Sequence, residues 1–246
     1  MKQGDKTLIF LHIPKTAGTT LHHILERCYP KDQIFTFKDP IDQDAIEHFK
    51  QLAENRREPY RLVKGHLSFG FHRHLPGPST YFTFLREPIA RVLSFYYYAR
   101  SHPDHYLYSL LRRGDVDLKT LLRQRTPTTL EFFNLETSMI AGDEWQNPDR
   151  SADRIALERA KQNLRTHFQF VGLTEEFDAS LQWLNAIFGW KAGSYSKKNV
   201  TRRKPPIETV DTETRELLRE ANAFDIELFQ FARELFEARC HTEKNQ

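Results

Sequence analysis

The 246-residue sequence predicts an α/β fold, one domain over residues 1–246 with a central parallel sheet flanked by helices. Three observations carry that expectation. Short apolar, β-branched runs alternate along the chain with stretches of helical spacing, the pattern of βαβ units. The length suffices to bury one substantial core. No internal repeat or low-complexity tract interrupts it.

The elements follow in order. "TLIFLHI" (7–13) is apolar and β-rich, suiting a buried strand. "TTLHHILERCY" (19–29) then places Leu21, Ile24, Leu25 and Cys28 at helical spacing. "DQDAIEHFKQLAEN" (42–55) repeats that spacing, and "YRLVKGHLSFG" (60–70) reads as a short strand ending at Gly65. "STYFTFLREP" (79–88) is the next strand, and Pro88 opens a helix to about Arg100, where its missing N–H costs nothing. Residues 104 to 141 read as mostly helical. Ser151 or Asp153 caps a helix through His167, followed by the strand "FQFVGLT" (168–174). "EFDASLQWLNAIFG" (176–189) is an amphipathic helix closed by Gly189. A basic stretch free of helix signals, "SYSKKNVTRRKPP" (194–206), precedes a C-terminal helical segment beginning near Thr212.

Charge and cysteine usage narrow the function classes. Thirty-six basic and 33 acidic residues leave +3, which suits a small anionic ligand better than duplex nucleic acid. Cys28 and Cys240 lie far apart in the chain and are expected to be reduced thiols. No apolar run approaches the length of a membrane helix, and the first strand begins by about Thr7. The expectation is a cytoplasmic setting with no integral membrane segment.

In a parallel sheet, ligands gather at the C-terminal ends of the strands. The first such end is "PKTAGTT". Lys15 precedes a tight turn of small residues, Thr16, Ala17, Gly18, Thr19 and Thr20, that leads into a helix. Unpaired backbone N–H groups and the helix dipole suit an anion there, and Lys15, expected in a solvent-facing turn, adds a full charge. The turn is not the nucleotide-triphosphate loop G-x-x-x-x-G-K-[ST], because Lys15 comes before Gly18. The competing reading is an ordinary strand-turn-helix unit with a solvated lysine.

Arg86 leaves the second strong strand, and Ser94 lies just over two helical turns on, on a face that includes Arg91. A guanidinium and a hydroxyl so placed suit a second phosphate. The plainer alternative is a structural Arg86–Glu87 or Arg91–Glu pair and a buried serine bonded to its own helix. His66 follows the "RLV" strand. Together with His72 and His74 it suggests either a metal cluster or a polar loop, but no cysteine and no fourth ligand accompany them. General-base work suits His66 better, since imidazole accepts a hydroxyl proton near neutral pH. His12, inside the expected strand, and His22 and His23, on the first helix, read as core or surface residues.

"FLHIPKTAGTTLHHIL" followed by "FLREPIARVLSFYY" resembles the Golgi-type carbohydrate sulfotransferases, above all the heparan sulfate 2-O- and 6-O-sulfotransferases and their bacterial relatives. The resemblance implies a P-loop-like sulfotransferase fold and 3′-phosphoadenylyl sulfate (PAPS) as donor, without a metal. It also implies a hydroxyl acceptor, expected to be a glycan. Lys15 and residues Thr16 to Thr20 would hold the phosphosulfate, and Arg86 and Ser94 the 3′-phosphate. "KGH" resembles the "HGH" of the 2-O enzymes, which points to His66 as base and puts Lys64 where the first histidine stands. "KKNVTRRKPP" resembles their nucleotide-closing loop, with Arg202 and Arg203 as phosphate contacts. Arg56, Arg57, Arg61, Lys64, Arg73, Arg112 and Arg113 are candidates for favouring an anionic glycan. The alternatives are a nucleotide-dependent kinase, which predicts Mg²⁺ and an aspartate at a strand end, and a non-catalytic binder of sulfated or phosphorylated ligands.

Overall fold

The computed structural model describes residues 6–37, 43–52, 60–112, 116–142, 152–190 and 209–244. Five strands form one sheet: β1 (Thr7–Leu11), β2 (Ile34–Thr36), β3 (Leu62–Gly65), β4 (Ser79–Leu85) and β5 (Phe168–Leu173). Their order is β2-β3-β1-β4-β5 and every pairing is parallel, as the alternating sequence pattern requires. The central β1 runs beside β3 with Leu8 opposite Leu62 and beside β4 with Ile9 opposite Tyr81. Being covered on both faces, these strands are apolar almost throughout, and Ile9, Phe10, Leu11, Val63, Phe82 and Phe84 are all at 0% exposure. Phe10 stacks on Phe82 across the strand pair, with centroids 4.7 Å apart.

Strand β1 is two residues shorter than expected. The His12 N–H still donates to the Gly65 carbonyl at 3.0 Å, but Pro14 has no N–H and the chain turns away. β2 carried no sequence signal, being three residues long at the sheet edge.

Helices cover the sheet. α1 (Gly18–Cys28) follows β1, and α2 (Gln43–Leu52) lies between β2 and β3. α3 (Pro88–Ser101) begins where predicted, with the Glu87 carboxylate accepting from the N–H groups of Ile89 and Ala90 at 3.1 and 2.7 Å. The middle of the chain is α4 (Tyr108–Arg112), α5 (Leu118–Arg123), a 3-10 segment (Pro127–Phe132) and α6 (Leu135–Ala141). α7 (Arg154–Thr166) takes Asp153, not Ser151, as its cap: the Asp153 carboxylate accepts from Ala156 N–H at 2.7 Å. α8 (Phe177–Phe188) ends at Gly189 in the left-handed region, as expected.

The C-terminal segment is two helices, α9 (Thr212–Ala221) and α10 (Ala223–Lys244), broken at Asn222. The cause is tertiary. Asn222 is fully buried, its amide donates to Phe132 O at 2.9 Å, and its Oδ1 accepts from Asn134 N–H at 3.1 Å. Asn134 in turn accepts from Phe224 and Asp225 N–H at the start of α10. Asp225 caps α6, accepting from Glu136 N–H at 3.1 Å and Thr137 N–H at 2.7 Å. The start of α6 and the start of α10 thereby satisfy one another.

Candidate active site

The loop after β1 is built from unusual backbone. Lys15 and Ala17 both lie at positive φ, 73° and 65°, on either side of Thr16. A non-glycine residue in that region costs on the order of 1 kcal/mol or more, so two in three residues mark a conformation maintained for its shape. Alternation of this kind turns successive backbone N–H groups toward one concavity, an anion-binding nest, and here it opens at the N-terminus of α1. The threonines divide in role. Thr16 is fully buried and spends its hydroxyl on Ile13 O at 2.8 Å, which braces the turn from inside.

Lys15 differs from its expected solvent-facing placement. Its ammonium sits over the Tyr98 ring of α3, 3.7 Å from the centroid. Burial, and then the charge of Arg86, pull its pKa down to about 8. The opposite face of the neighbourhood is aromatic too, with His102 stacked on Tyr98 at 3.8 Å and His105 edge-on to it.

Arg86 stands at the end of β4, next to β1, and reaches the loop directly: Nη1 donates to the Lys15 carbonyl at 3.1 Å. The two motifs are therefore joined by a hydrogen bond across 71 residues of chain. The Arg86 Nε is buried with no hydrogen-bond partner among the described residues. The Arg86 N–H donates to Glu136 Oε1 at 3.0 Å, and Glu136 is fully buried. Burial, reinforced by Asp225, pushes the Glu136 carboxyl well above its usual range. Ser94 is buried on α3, one turn before Tyr98. Arg91 is fully buried in structural work: Nη2 donates to Glu131 O at 3.0 Å and lies 3.9 Å from Asp225 Oδ2. Arg91 is thus paired with Asp225 and not with a glutamate, and Glu87 serves as a helix cap instead of a partner to Arg86.

His66, just past β3, faces the same end of the sheet. Its Nδ1 lies 2.8 Å from His12 O and its ring stacks on His12 at 4.2 Å. Nδ1 must donate to that carbonyl, which leaves Nε2 as the nitrogen able to accept a proton. His72 and His74 do not join it. His72 engages the Tyr81 hydroxyl and stacks on His167, and His74 sits edge-on to Phe71. Among the described residues no group of three or more His, Cys, Asp or Glu side chains is placed to hold a metal.

Two glycines are required here. Gly65 has φ 147° and an added Cβ would lie 2.6 Å from Phe37. At Gly18 the Cβ would lie 1.6 Å from His12 Nε2, so the imidazole occupies the space of the missing side chain. His12 and Tyr98 are the site neighbours that sequence reasoning missed. His12 adjoins the "PKTAG" motif, but periodicity assigned it to the strand interior. Lys64 also departs from expectation: it points inward, at 0% exposure, and is unavailable to a glycan. Arg202 and Arg203 lie outside the described residues, as do Arg56, Arg57 and Arg113.

A parallel sheet whose central strand opens on a positive-φ loop at a helix N-terminus, with an arginine from one neighbouring strand and a histidine just past the other, has the build of a site for an anionic ligand. The chain belongs to the sulfotransferase family, whose model matches residues 1–232. That membership bears out the sulfuryl-transfer reading. It is 26% identical over 264 residues to heparan sulfate 2-O-sulfotransferase 1 of Gallus gallus, covering 94% of this chain and 73% of that protein. Galactose-3-O-sulfotransferase 3 of Mus musculus is 26% identical over 241 residues, covering 89% of this chain and 54% of that protein. Among solved structures, mouse sulfotransferase SULT7A1 complexed with PAP matches with a TM-score of 0.41 and 16% identity, over 90% of this chain and 65% of that one.

Proposed function

We propose that this chain transfers the sulfuryl group of PAPS to a hydroxyl of a carbohydrate, with His66 as base and the Lys15–Thr20 loop as the phosphosulfate site. The observation that carries the proposal is the union of the two motifs: a positive-φ nest tied through its Lys15 carbonyl to the Arg86 guanidinium. In this reading Arg86 and Ser94 hold the 3′-phosphate, and Arg202 and Arg203 add contacts to the nucleotide.

His66 Nε2 takes the proton of the acceptor hydroxyl as that oxygen attacks sulfur in line. The bond from sulfur to the bridging phosphate oxygen breaks, and its electron pair leaves with adenosine 3′,5′-bisphosphate (PAP). Lys15 Nζ moves from Tyr98 to meet the charge developing on that oxygen, and the loop N–H groups hold the rest. A sulfuryl group carries less negative charge than a γ-phosphoryl group, so one ammonium and oriented backbone dipoles suffice where kinases use Mg²⁺. The carbohydrate acceptor is supported by the named substrates of the relatives, heparan sulfate and galactose. The exposed Arg61, Arg73 and Arg112 are consistent with an anionic glycan. A reducing, cytoplasmic setting belongs to the proposal as well, and the free thiol of Cys28 supports it.

The test is an acceptor screen with radiolabelled PAPS across glycans, lipids and phenols. Label entering a glycan, lost in Lys15→Ala and unchanged by EDTA, is the expected result. Transfer only from ATP with Mg²⁺ would overturn it in favour of a kinase.

A further inference from the structure

Beneath the site runs a line of side chains that the proposed reaction does not by itself require. The Lys64 ammonium, on β3, is buried between Glu26 Oε1 at 2.6 Å and His22 Nδ1 at 3.0 Å. His22 Nε2 lies 3.1 Å from His12 Nδ1. His12 meets His66 through its carbonyl and its ring face. The first member fixes the direction of every bond. An ammonium only donates, so His22 Nδ1 accepts and His22 carries its proton on Nε2. That N–H donates to His12 Nδ1, and His12 is therefore protonated on Nε2. This nitrogen lies in the space a Gly18 side chain would fill, at the first residue of α1, and no described residue hydrogen-bonds it. His12 is only 9% exposed.

We infer that Lys64 and His22 are positioning residues that hold His12 as the Nε2–H tautomer, and that this neutral N–H is a further donor to the anion bound by the loop. The inference rests on reading the Lys15–Thr20 loop as the phosphosulfate site. Its logic is electrostatic. A third cation beside Lys15 and Arg86 in a buried site would be repelled, whereas a neutral N–H adds a hydrogen bond at no such cost. Both rings are held neutral. Burial, then the charge of Lys64, push His22 down to about 3, and burial, then His66 and His22, hold His12 well below its ordinary value. Glu26 closes the line from the surface: although burial opposes it, the Lys64 hydrogen bond and charge hold its carboxyl below its usual range. Lys64 thus replaces the first histidine of the related "HGH" pattern with a group facing away from the acceptor.

Nitrogen-15 spectra of the histidine side chains separate the two neutral tautomers and the imidazolium, independently of turnover. In the wild type His12 and His22 should show Nε2–H and His66 Nδ1–H, and addition of PAP should shift the His12 Nε2–H resonance. Lys64→Met should mix the His22 and His12 tautomers and lower kcat about 10–100-fold, the usual effect of losing an outer-shell partner. Glu26→Gln, at the exposed end of the line, should do the same more weakly and guards against misfolding of the first variant. His12→Phe should weaken PAP binding by about 10–100-fold, as for a lost hydrogen bond to a charged group. His12 protonated on Nδ1, or on both nitrogens, overturns the inference. PAP that binds without moving the His12 signal also overturns it and leaves the functional reading standing. PAP that does not bind overturns the functional reading and the donor role together, while the tautomers still report what Lys64 does.

Discussion

Gly18→Ala sets helix propensity against sterics, and the geometry decides between them. Gly18 opens α1, where alanine is the better helix former by up to about 1 kcal/mol, so local reasoning predicts a gain in stability. The added Cβ, however, would stand 1.6 Å from His12 Nε2, where real contacts are not closer than 3.0 Å. The imidazole has to move by more than an ångström, and it has nowhere to go. It is stacked against His66 at 4.2 Å and Phe10 at 5.4 Å, with His22 hydrogen-bonded to its Nδ1. Overpacking of this kind costs about 1–3 kcal/mol, which leaves a net destabilisation of up to about 2 kcal/mol. For a chain of this size that lowers Tm by up to about 8 °C. Because the displaced ring also stacks on His66, kcat/KM should fall about 10²-fold, the penalty for an ångström-scale misplacement. Scanning calorimetry and steady-state kinetics read the two effects. Gly77→Ala is the control, since a Cβ there meets nothing within 4 Å. A Gly18→Ala protein with wild-type or higher Tm and full activity would refute the packing argument.

Lys15, Arg86 and His66 carry the further predictions. Lys15→Ala should lose about 10²–10³ in kcat. With its pKa near 8, wild-type Lys15 loses its proton as pH rises through that value, so PAP affinity measured by calorimetry should weaken above pH 8 but stay level in Lys15→Arg. The unfolded chain keeps that proton up to about 10.5, so it binds more protons between the two values, and the ligand-free protein should gain stability with pH across that window. Arg86→Ala should raise KM for PAPS and also lower kcat, because the same guanidinium holds the Lys15 carbonyl; an unchanged kcat would separate Arg86 from the loop. His66→Ala should cut kcat/KM by about 10²–10⁴, while calorimetric PAP binding stays near wild type. Equal damage from His72→Ala and His74→Ala, with EDTA abolishing activity, would instead make the histidine loop a metal site.

What was legible in the sequence was local. Periodicity gave the strands and helices, because side-chain spacing reports which face an element buries. Glu87–Pro88 and Gly189 announced their helix ends through backbone chemistry confined to a few residues. The ends of β1, β3 and β4 placed Lys15, His66 and Arg86 at one rim, because parallel strands present their C-termini together. The tertiary structure decided what those groups touch. The Arg86 bond to Lys15 spans 71 residues, the Lys64 bond to His22 spans 42, and Asp225 caps α6 from 88 residues away. No sequence pattern records such partners. Asn222 reads as mid-helix until the α6 groups it satisfies are in place, and Lys64 reads as a surface cation until Glu26 and His22 surround it. A buried polar group is stable only with its hydrogen-bonding partners, and those partners are brought together by the packing of distant elements.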